Sequence, residues 1–209
     1  MKFLGFIFAV ALAIVGWSYL HRPITYPPGI LIPSEPEQTL TFDAPIKRGE
    51  YELKPLAHFA IDARVLHRKV YRWDQRASLV PVDLALGWGP MSNQSVLDQV
   101  EITQSMRFYW FAYRLPPPIP QEEIISHSTN VHIIPATSAI ASRCKSLRAG
   151  ELIHLVGDLV QATAPGRSPW RSSLSRTDTG NGACELMWVN EMSILAARDF
   201  QNRGTLVKR

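Results

Sequence analysis

Cys184 is the residue of this sequence with the most direct nucleophilic chemistry, and two histidines could serve as its base. A thiol hydrolase needs an accessible thiolate within reach of a general base, which His127 or His132 could provide. The local pattern points elsewhere, because Cys184, Leu186 and Trp188 alternate along one face of a strand and predict an inward-facing thiol. A hydrolase built on Cys184 with either histidine is therefore the alternative hypothesis.

Asp178 offers a second route to hydrolysis, because Asp178-Thr179-Gly180 has the sequence that presents the catalytic carboxylate in aspartic proteases. Those enzymes pair two such carboxylates that share one proton, so a single copy would act only in a dimer. Residues 178–182 are also ordinary turn residues between two strands, and we expect a turn here.

A metal site is not favoured by the histidines. His127 and His132 are five residues apart, and in an extended strand such residues point to opposite faces. Without a cluster of further ligands, zinc has little support. The sequence therefore predicts neither a metal nor a cofactor.

The two cysteines of the chain could form a disulfide. Cys144 shares a helical face with Ile140 and Leu147, as Cys184 shares a strand face with its apolar neighbours. In an exported domain two such cysteines can be bridged, or they can pack as two small apolar side chains. The sequence leaves both possibilities open.

A basic segment with interleaved aromatic residues, residues 64–76, is the candidate binding surface. Its candidate contact residues are Arg64, Arg68, Tyr71, Arg72 and Trp73. They could bind anionic headgroups or a glycan. The plainer interpretation is an amphipathic pair of strands that shows its charges to solvent.

The elements that must position these residues are mostly short strands. Residues 61–65 alternate in polarity, residues 105–114 are rich in aromatic side chains, and residues 151–162 and 184–194 have strand character. The clearest helix is predicted over residues 137–150, with a Thr or Ser cap and a terminal Gly. This order predicts a β-rich (α+β) domain, and a small OB-like barrel with one helix is the favoured architecture.

An apolar run without charge covers residues 3–20. As a helix it would span about 27 Å, close to the ~30 Å hydrocarbon core of a bilayer. The alternative, a cleaved signal peptide, lacks a small-residue cut site at the end of the run. We expect a retained signal anchor, a single-pass transmembrane helix in the bacterial inner membrane. Its N-terminus would be cytoplasmic and the C-terminal domain periplasmic.

Three further regions follow the predicted anchor at residues 1–20. Five prolines in residues 21–40 predict an extended spacer, and residues 41–197 are long enough for one domain. Residues 198–209 form a tail with four basic residues and one acidic residue, which accounts for most of the net charge of +4. The body is close to neutral, which excludes a nucleic-acid ligand that requires a concentrated basic face.

Three strings, DLALGWGPMS (83–92), HSTNVHIIPA (127–136) and WRSSLSRTDTGNGACE (170–185), carry a family resemblance. The chain resembles a family of small, membrane-anchored bacterial envelope proteins without an assigned activity, over most of residues 50–190. The resemblance implies a bacterial envelope setting and transfers no catalytic role to any residue.

The sequence as a whole favours an envelope protein whose periplasmic domain binds partner proteins or envelope components. The aromatic contact candidates are Trp73, Trp88, Trp110 and Trp170. The competing hypothesis is an envelope hydrolase that uses Cys184 or, less favoured, Asp178. These hypotheses differ in whether either side chain lines a cleft with a usable base.

Overall fold

The computed structural model describes residues 16, 22–175, 177–178, 180 and 182–197. Apart from Gly16, the predicted anchor at residues 3–20 lies outside this part of the chain, and so does the basic tail. Among the described residues, no helix combines the length and the apolar character that a bilayer crossing requires.

The described chain is mostly β-sheet. Its strands are β1 (Glu37–Leu40), β2 (Ile46–Arg48), β3 (Tyr51–Val70), β4 (Val82–Gly87), β5 (Val100–Ser105), β6 (Phe108–Tyr113), β7 (Ser128–Pro135), β8 (Leu152–Thr163), β9 (Trp170–Arg171) and β10 (Glu185–Ile194). Its helices are α1 (Gln94–Leu97), α2 (Gln121–Ser126) and α3 (Ser138–Ser146), with a 3-10 turn over Gly89–Ser92. The predicted β-rich domain is confirmed.

Five strands pair in a closed ring, in the order β3, β4, β7, β10, β8 and back to β3. The 20-residue β3 makes closure possible, because one part of it pairs with β8 and its last residues pair with β4. All pairs are antiparallel except β7 with β10. Strands β1, β2 and β9 extend the ring at its edges.

The main core fills the inside of this ring. Alternate residues of each strand enter it, for example Phe59 and Ile61 of β3, Leu84 of β4 and Ile133 of β7. This is the period-two pattern of a strand with one buried face. Burying each such side chain contributes about 1.5–3 kcal/mol.

Helix α3 closes one end of the ring, where Cys144 and Leu147 pack into the main core. Thr137 caps the helix, since its Oγ1 accepts a hydrogen bond from Ile140 N at 3.2 Å. The helix ends at Ser146, earlier than predicted, and Gly150 follows with a φ of +92°. A Cβ at Gly150 would lie 2.0 Å from the Ile24 carbonyl oxygen, so only glycine permits this approach.

The prediction that Cys184, Leu186 and Trp188 face the interior is wrong, because the opposite face of β10 lines the main core. Met187 and Val189 enter the main core, whereas Leu186 and Trp188 pack in a second apolar cluster on the outside of the ring. The alternation was predicted correctly, but both faces of the strand are covered. Which face of β10 lines the interior therefore depends on how strands distant in sequence pack against it.

The proline-rich segment is not the free spacer that its composition predicted. Leu31 and Ile32 are 4% and 0% exposed, and their amides donate to Ser92 Oγ at 3.1 and 3.0 Å. Residues 37–40 pair with residues 57–60 of β3. Residues 24–40, which precede the predicted start of the domain at residue 41, therefore pack on the domain. The proline-rich segment is held on the domain because Leu31 and Ile32 pack into the main core.

The β5–β6 hairpin lies across the outside of β4 and β7. Tyr109, Phe111 and Tyr113 pack with Ala85 in a third apolar cluster. The two-residue turn of the hairpin, Met106-Arg107, has φ values of 49° and 71°. Non-glycine residues rarely adopt this left-handed region. The turn places Arg107 against the barrel, where the candidate site lies.

Candidate functional site

A cavity of ≈ 220 Å³ lies between the hairpin, the start of β7 and the loop before β10. We call it the aromatic pocket. Its apolar side is formed by Ile125 and four successive aromatic residues of β6. Its lining residues are Phe108, Tyr109, Trp110, Phe111, Ile125, Ser128, Thr129, Asn130, Ser175, Asp178, Gly180, Ala183, Cys184 and Glu185. An apolar cavity with a few polar groups is the usual form of a ligand site.

Buried hydrogen bonds fix the polar side of the aromatic pocket. Asn130, 2% exposed, accepts from Gln104 Nε2 at 2.5 Å and donates to the Arg107 carbonyl oxygen at 3.2 Å. Tyr109 Oη lies 2.6 Å from Ser128 Oγ, and burial raises the pKa of Tyr109 to about 12. Because these groups already have partners, the polar side is rigid before any ligand binds.

Thr129 and Glu185 form a second buried polar contact at the pocket. Thr129 Oγ1 donates to Glu185 Oε2, and both residues are at least nine-tenths buried. Thr129 lies at the start of β7 and Glu185 at the start of β10. The contact therefore joins the two parallel strands where they border the cavity.

Behind the pocket, Asp83, Arg107 and His132 form a buried polar cluster. Asp83 of β4 and His132 of β7 are directly opposite in the strand register, with His132 Nδ1 at 2.9 Å from Asp83 Oδ1. Arg107 Nη1 contacts the same Asp83 oxygen at 3.0 Å, while Arg107 Nη2 contacts Asp74 at 2.7 Å. One guanidinium thus ties the hairpin turn to the barrel and to the β3–β4 loop.

Three polar atoms of this cluster are buried without a properly aligned hydrogen bond among the described residues. They are Asp83 Oδ2, Arg107 Nε and His132 Nδ1. His132 Nδ1 is close to Asp83 Oδ1, but the angle is poor for a hydrogen bond. The cluster is instead held by hydrogen bonds from the Arg107 guanidinium to Asp83, Asp74 and the Val80 carbonyl oxygen, and by packing, since Arg107 covers the Tyr71 ring at 3.6 Å.

Aromatic rings seal the buried polar cluster from solvent. The Trp170 and His132 ring centroids are 4.7 Å apart, and the guanidinium of Arg76 lies 4.3 Å from the Trp170 ring. Burial, followed by the nearby Asp83 charge, raises the pKa of Tyr71 to about 12. His132 is thus enclosed by the described side chains and is 3% exposed. Residues from three separate segments, 83–92, 127–136 and 170–185, meet at this cluster and at the pocket.

Cys184 lines the aromatic pocket, but neither predicted base contacts its thiol. Its polar neighbours are Asn130 Nδ2 at 3.5 Å and the Arg107 carbonyl oxygen at 3.9 Å. Burial raises the pKa of Cys184 to about 11, so the thiol is protonated at neutral pH. A protonated thiol without an adjacent base is a poor nucleophile.

His127 lies in a different place from both other candidates. Its Nδ1 is 3.1 Å from Glu123 Oε2 and its Nε2 is 3.3 Å from Glu35 Oε1. Its ring packs against Trp88, which is 1% exposed. His127 therefore joins the N-terminal segment to α2. It does not act as a base for Cys184.

Asp178 also lines the pocket, as an exposed residue of the predicted turn. Its Oδ2 accepts a hydrogen bond from Ser173 Oγ at 2.7 Å. This partner is a hydroxyl, not the second carboxylate that aspartic protease chemistry requires. Among the described residues no group of three or more potential metal ligands forms a site.

The candidate surface at residues 64–76 divides into structural and exposed residues. Arg64 is 3% exposed and donates to the carbonyl oxygens of Ser92 and Ile24 at 3.0 and 3.1 Å. Tyr71 is covered by the hairpin, and Arg68 donates to the Lys145 carbonyl oxygen. Arg72 and Trp73 remain exposed, Trp73 at 95%. The residues therefore do not form one binding surface.

Both cysteines are free thiols in the structure. Cys144 of α3 packs in the main core, whereas Cys184 lies outside the ring at the pocket. The disulfide that the sequence left open is therefore not formed. Both cysteines follow an apolar sequence pattern, but they lie in different parts of the domain.

We expect both thiols to resist alkylation in the folded protein. Burial raises the pKa of Cys144 to about 12 and that of Cys184 to about 11, so little thiolate exists at pH 7. Iodoacetamide should label Cys184 slowly at pH 7 and faster as the pH approaches 11. Both cysteines should react readily in urea. Fast labelling of Cys184 at neutral pH would contradict the protonated thiol.

Sequence reasoning missed Asp83, Arg107 and Asn130. Asp83 could have been noticed, because it is a lone charge in the apolar run that forms β4. Arg107 carries no such local signal, since it precedes an aromatic strand like any turn residue. No protein-family model matches this chain, and neither a curated protein nor a solved structure shows significant similarity to it.

Proposed function

We propose that this protein is a membrane-anchored bacterial envelope protein whose periplasmic domain binds partner proteins or envelope components at the aromatic pocket. The observation that carries the proposal is the cavity of ≈ 220 Å³ with aromatic walls and a fixed polar side. Such a cavity accommodates one apolar group and orients it by hydrogen bonds. The anchor at residues 3–20 is part of this proposal.

The strand order supports a ligand site at this position. We infer an OB-type barrel, because a β3-β4-β7 meander is followed by α3, β8 and β10, with β10 parallel to β7. Barrels of this type bind ligands at the face of their second and third strands and at the adjoining loops. Here those strands are β4 and β7, and the pocket lies where the hairpin and the loop before β10 cover that face.

The pocket chemistry favours binding of an uncharged or positively charged group. Among its described lining residues, Asp178 and Glu185 are acidic and none is basic. A polyanion such as a nucleic acid would be repelled rather than attracted. The protonated Cys184 thiol contributes a small, weakly polar surface.

A neutral aromatic probe should bind at this pocket. We expect 1-aminoanthracene to gain fluorescence with the wild-type protein, because it would leave water for an aromatic cavity. Phe108→Ala should weaken binding by about tenfold or more, since a lost aromatic contact costs ~1.5 kcal/mol or more. Trp73→Ala is the matched control, because Trp73 is an exposed aromatic residue outside the pocket.

The envelope ligand is then sought by displacement. Fractions of a detergent extract of the envelope are tested for release of the probe from the wild-type protein. Equal probe affinity in wild type and Phe108→Ala would contradict the pocket as the binding site. Retained folding of the variant is checked by urea unfolding.

A further inference from the structure

Both ends of the described chain meet at one short segment, residues 149–152. Ile24 N donates to the Ala149 carbonyl oxygen and Leu195 N to the Leu152 carbonyl oxygen, each at 2.8 Å. The apolar run ends at Leu20, so at most about 14 Å of extended chain separates it from Ile24. The basic tail begins three residues after Leu195. Anchor and tail therefore join the domain at the same end of the barrel.

Basic side chains surround this junction. We call the set formed by Arg22, Arg68, Arg143, Lys145 and Arg148 the basic end. Arg143 and Lys145 are exposed in the last turn of α3, and Arg68 reaches the same turn through the Lys145 carbonyl oxygen. Arg148 immediately precedes Ala149, and Arg22 lies two residues before Ile24.

Two acidic side chains, Glu151 and Asp62, lie near the basic end and are already paired. Glu151 lies 3.8 Å from Arg148 Nε and accepts from Arg148 N at 2.8 Å. Asp62 contacts His154 at 2.6 Å. The side chains of Arg143 and Lys145 remain exposed to a partner outside the domain, and the tail adds four basic residues against one acidic residue.

We propose that the basic end lies on the anionic headgroups of the same membrane that holds residues 3–20. This inference rests on the anchor of the proposed function. The short connection brings the basic end to the bilayer surface, and clustered Lys and Arg next to an anchor are attracted to anionic lipid. The two contacts, apolar and electrostatic, then fix how the domain stands on the membrane.

This orientation directs the aromatic pocket away from the bilayer. Strand β10 begins at Glu185, which lines the pocket, and runs to Ile194 beside the basic end. Nine steps of a strand cover about 30 Å. The pocket is thus held at a distance from the membrane where periplasmic components can reach it.

The test uses the full chain in lipid nanodiscs of phosphatidylcholine alone or mixed with phosphatidylglycerol. Brief acetylation by an N-hydroxysuccinimide ester, followed by mass spectrometry, measures the reactivity of each lysine. We expect Lys145 to react several-fold more slowly in the anionic discs and to regain reactivity at high salt. Lys47 and Lys54, at the far end of β8, should react equally in both lipids.

Substitutions can distinguish an effect of the basic end from an effect of the net charge of the whole protein. Arg22→Gln with Arg143→Gln should reduce the protection of Lys145. Arg171→Gln should leave it unchanged, because Arg171 contacts Gln161 at the opposite end of β8. Equal labelling of Lys145 in both lipids, in a chain that resists alkaline extraction, overturns this proposal alone. A chain that alkaline extraction removes from the bilayer overturns the anchor and this proposal together.

Discussion

A chain that begins at Thr41 should be far less stable than one that begins at Arg22. The shorter chain loses Leu31 and Ile32 from the core, at about 1.5–3 kcal/mol each. It also loses the pairing of β1 with β3 and the hydrogen bond from Trp88 Nε1 to Glu35 at 2.8 Å. The summed loss approaches the 5–15 kcal/mol that holds a typical domain together. Urea unfolding, followed by tryptophan fluorescence, measures the difference.

Two isoleucines in this segment give a matched test. Ile32 is fully buried and Ile30 is 53% exposed, only two residues away. Ile32→Ala should lower the free energy of unfolding by about 2–5 kcal/mol, the usual cost of such a cavity. Ile30→Ala should change it by about 0.5 kcal/mol or less, as at other surface positions. Equal urea midpoints for the Thr41 and Arg22 chains would show that the segment is a spacer after all.

Removing Asp83 should destabilise the domain more than removing any exposed carboxylate. Asp83→Ala removes the buried acidic partner of Arg107 and the acidic partner of His132, and leaves half-exposed Asp74 as the carboxylate that Arg107 contacts. Breaking a buried ion pair from one side costs about 3–5 kcal/mol. The free energy of unfolding in urea should fall by that amount at neutral pH.

Asp74→Ala is the control, because Asp74 contacts the same guanidinium from a side chain that is 39% exposed. Its loss should cost about 0–1 kcal/mol, as for exposed ion pairs. A second test adds Arg107→Met to Asp83→Ala. The second change should cost less there than in the wild type, because the buried charge it removes has already lost its buried partner. Equal effects of Asp83→Ala and Asp74→Ala would contradict the buried cluster.

The local features of the fold were predictable because they depend on neighbouring residues. The alternation in β3 and β10 and the Thr137 cap follow from backbone geometry within a few residues. An isolated glycine within a strand pattern, such as Gly157, indicates a bulge or a close approach of another backbone. A Cβ there would lie 1.9 Å from the Trp188 carbonyl oxygen, and the β8–β10 register shifts next to it.

The candidate site was only partly predictable, because its members come from separate parts of the chain. Cys184 and Asp178 were singled out, and both line the aromatic pocket. His132 was paired in prediction with Cys184, whereas its partner is Asp83, 49 residues earlier in the sequence. The β4–β7 register brings the two together, and no spacing along the chain reveals a register.

Composition and short-range periodicity sufficed to predict a β-rich domain, the helix that Thr137 caps, a basic tail and a charge-free apolar run. Contacts between distant parts of the chain decide which face of β10 lines the core, where residues 22–40 pack and what surrounds each candidate residue. An alternating strand has two equivalent faces until other strands cover one of them. A proline-rich segment remains extended until a barrel offers its apolar side chains a place to pack.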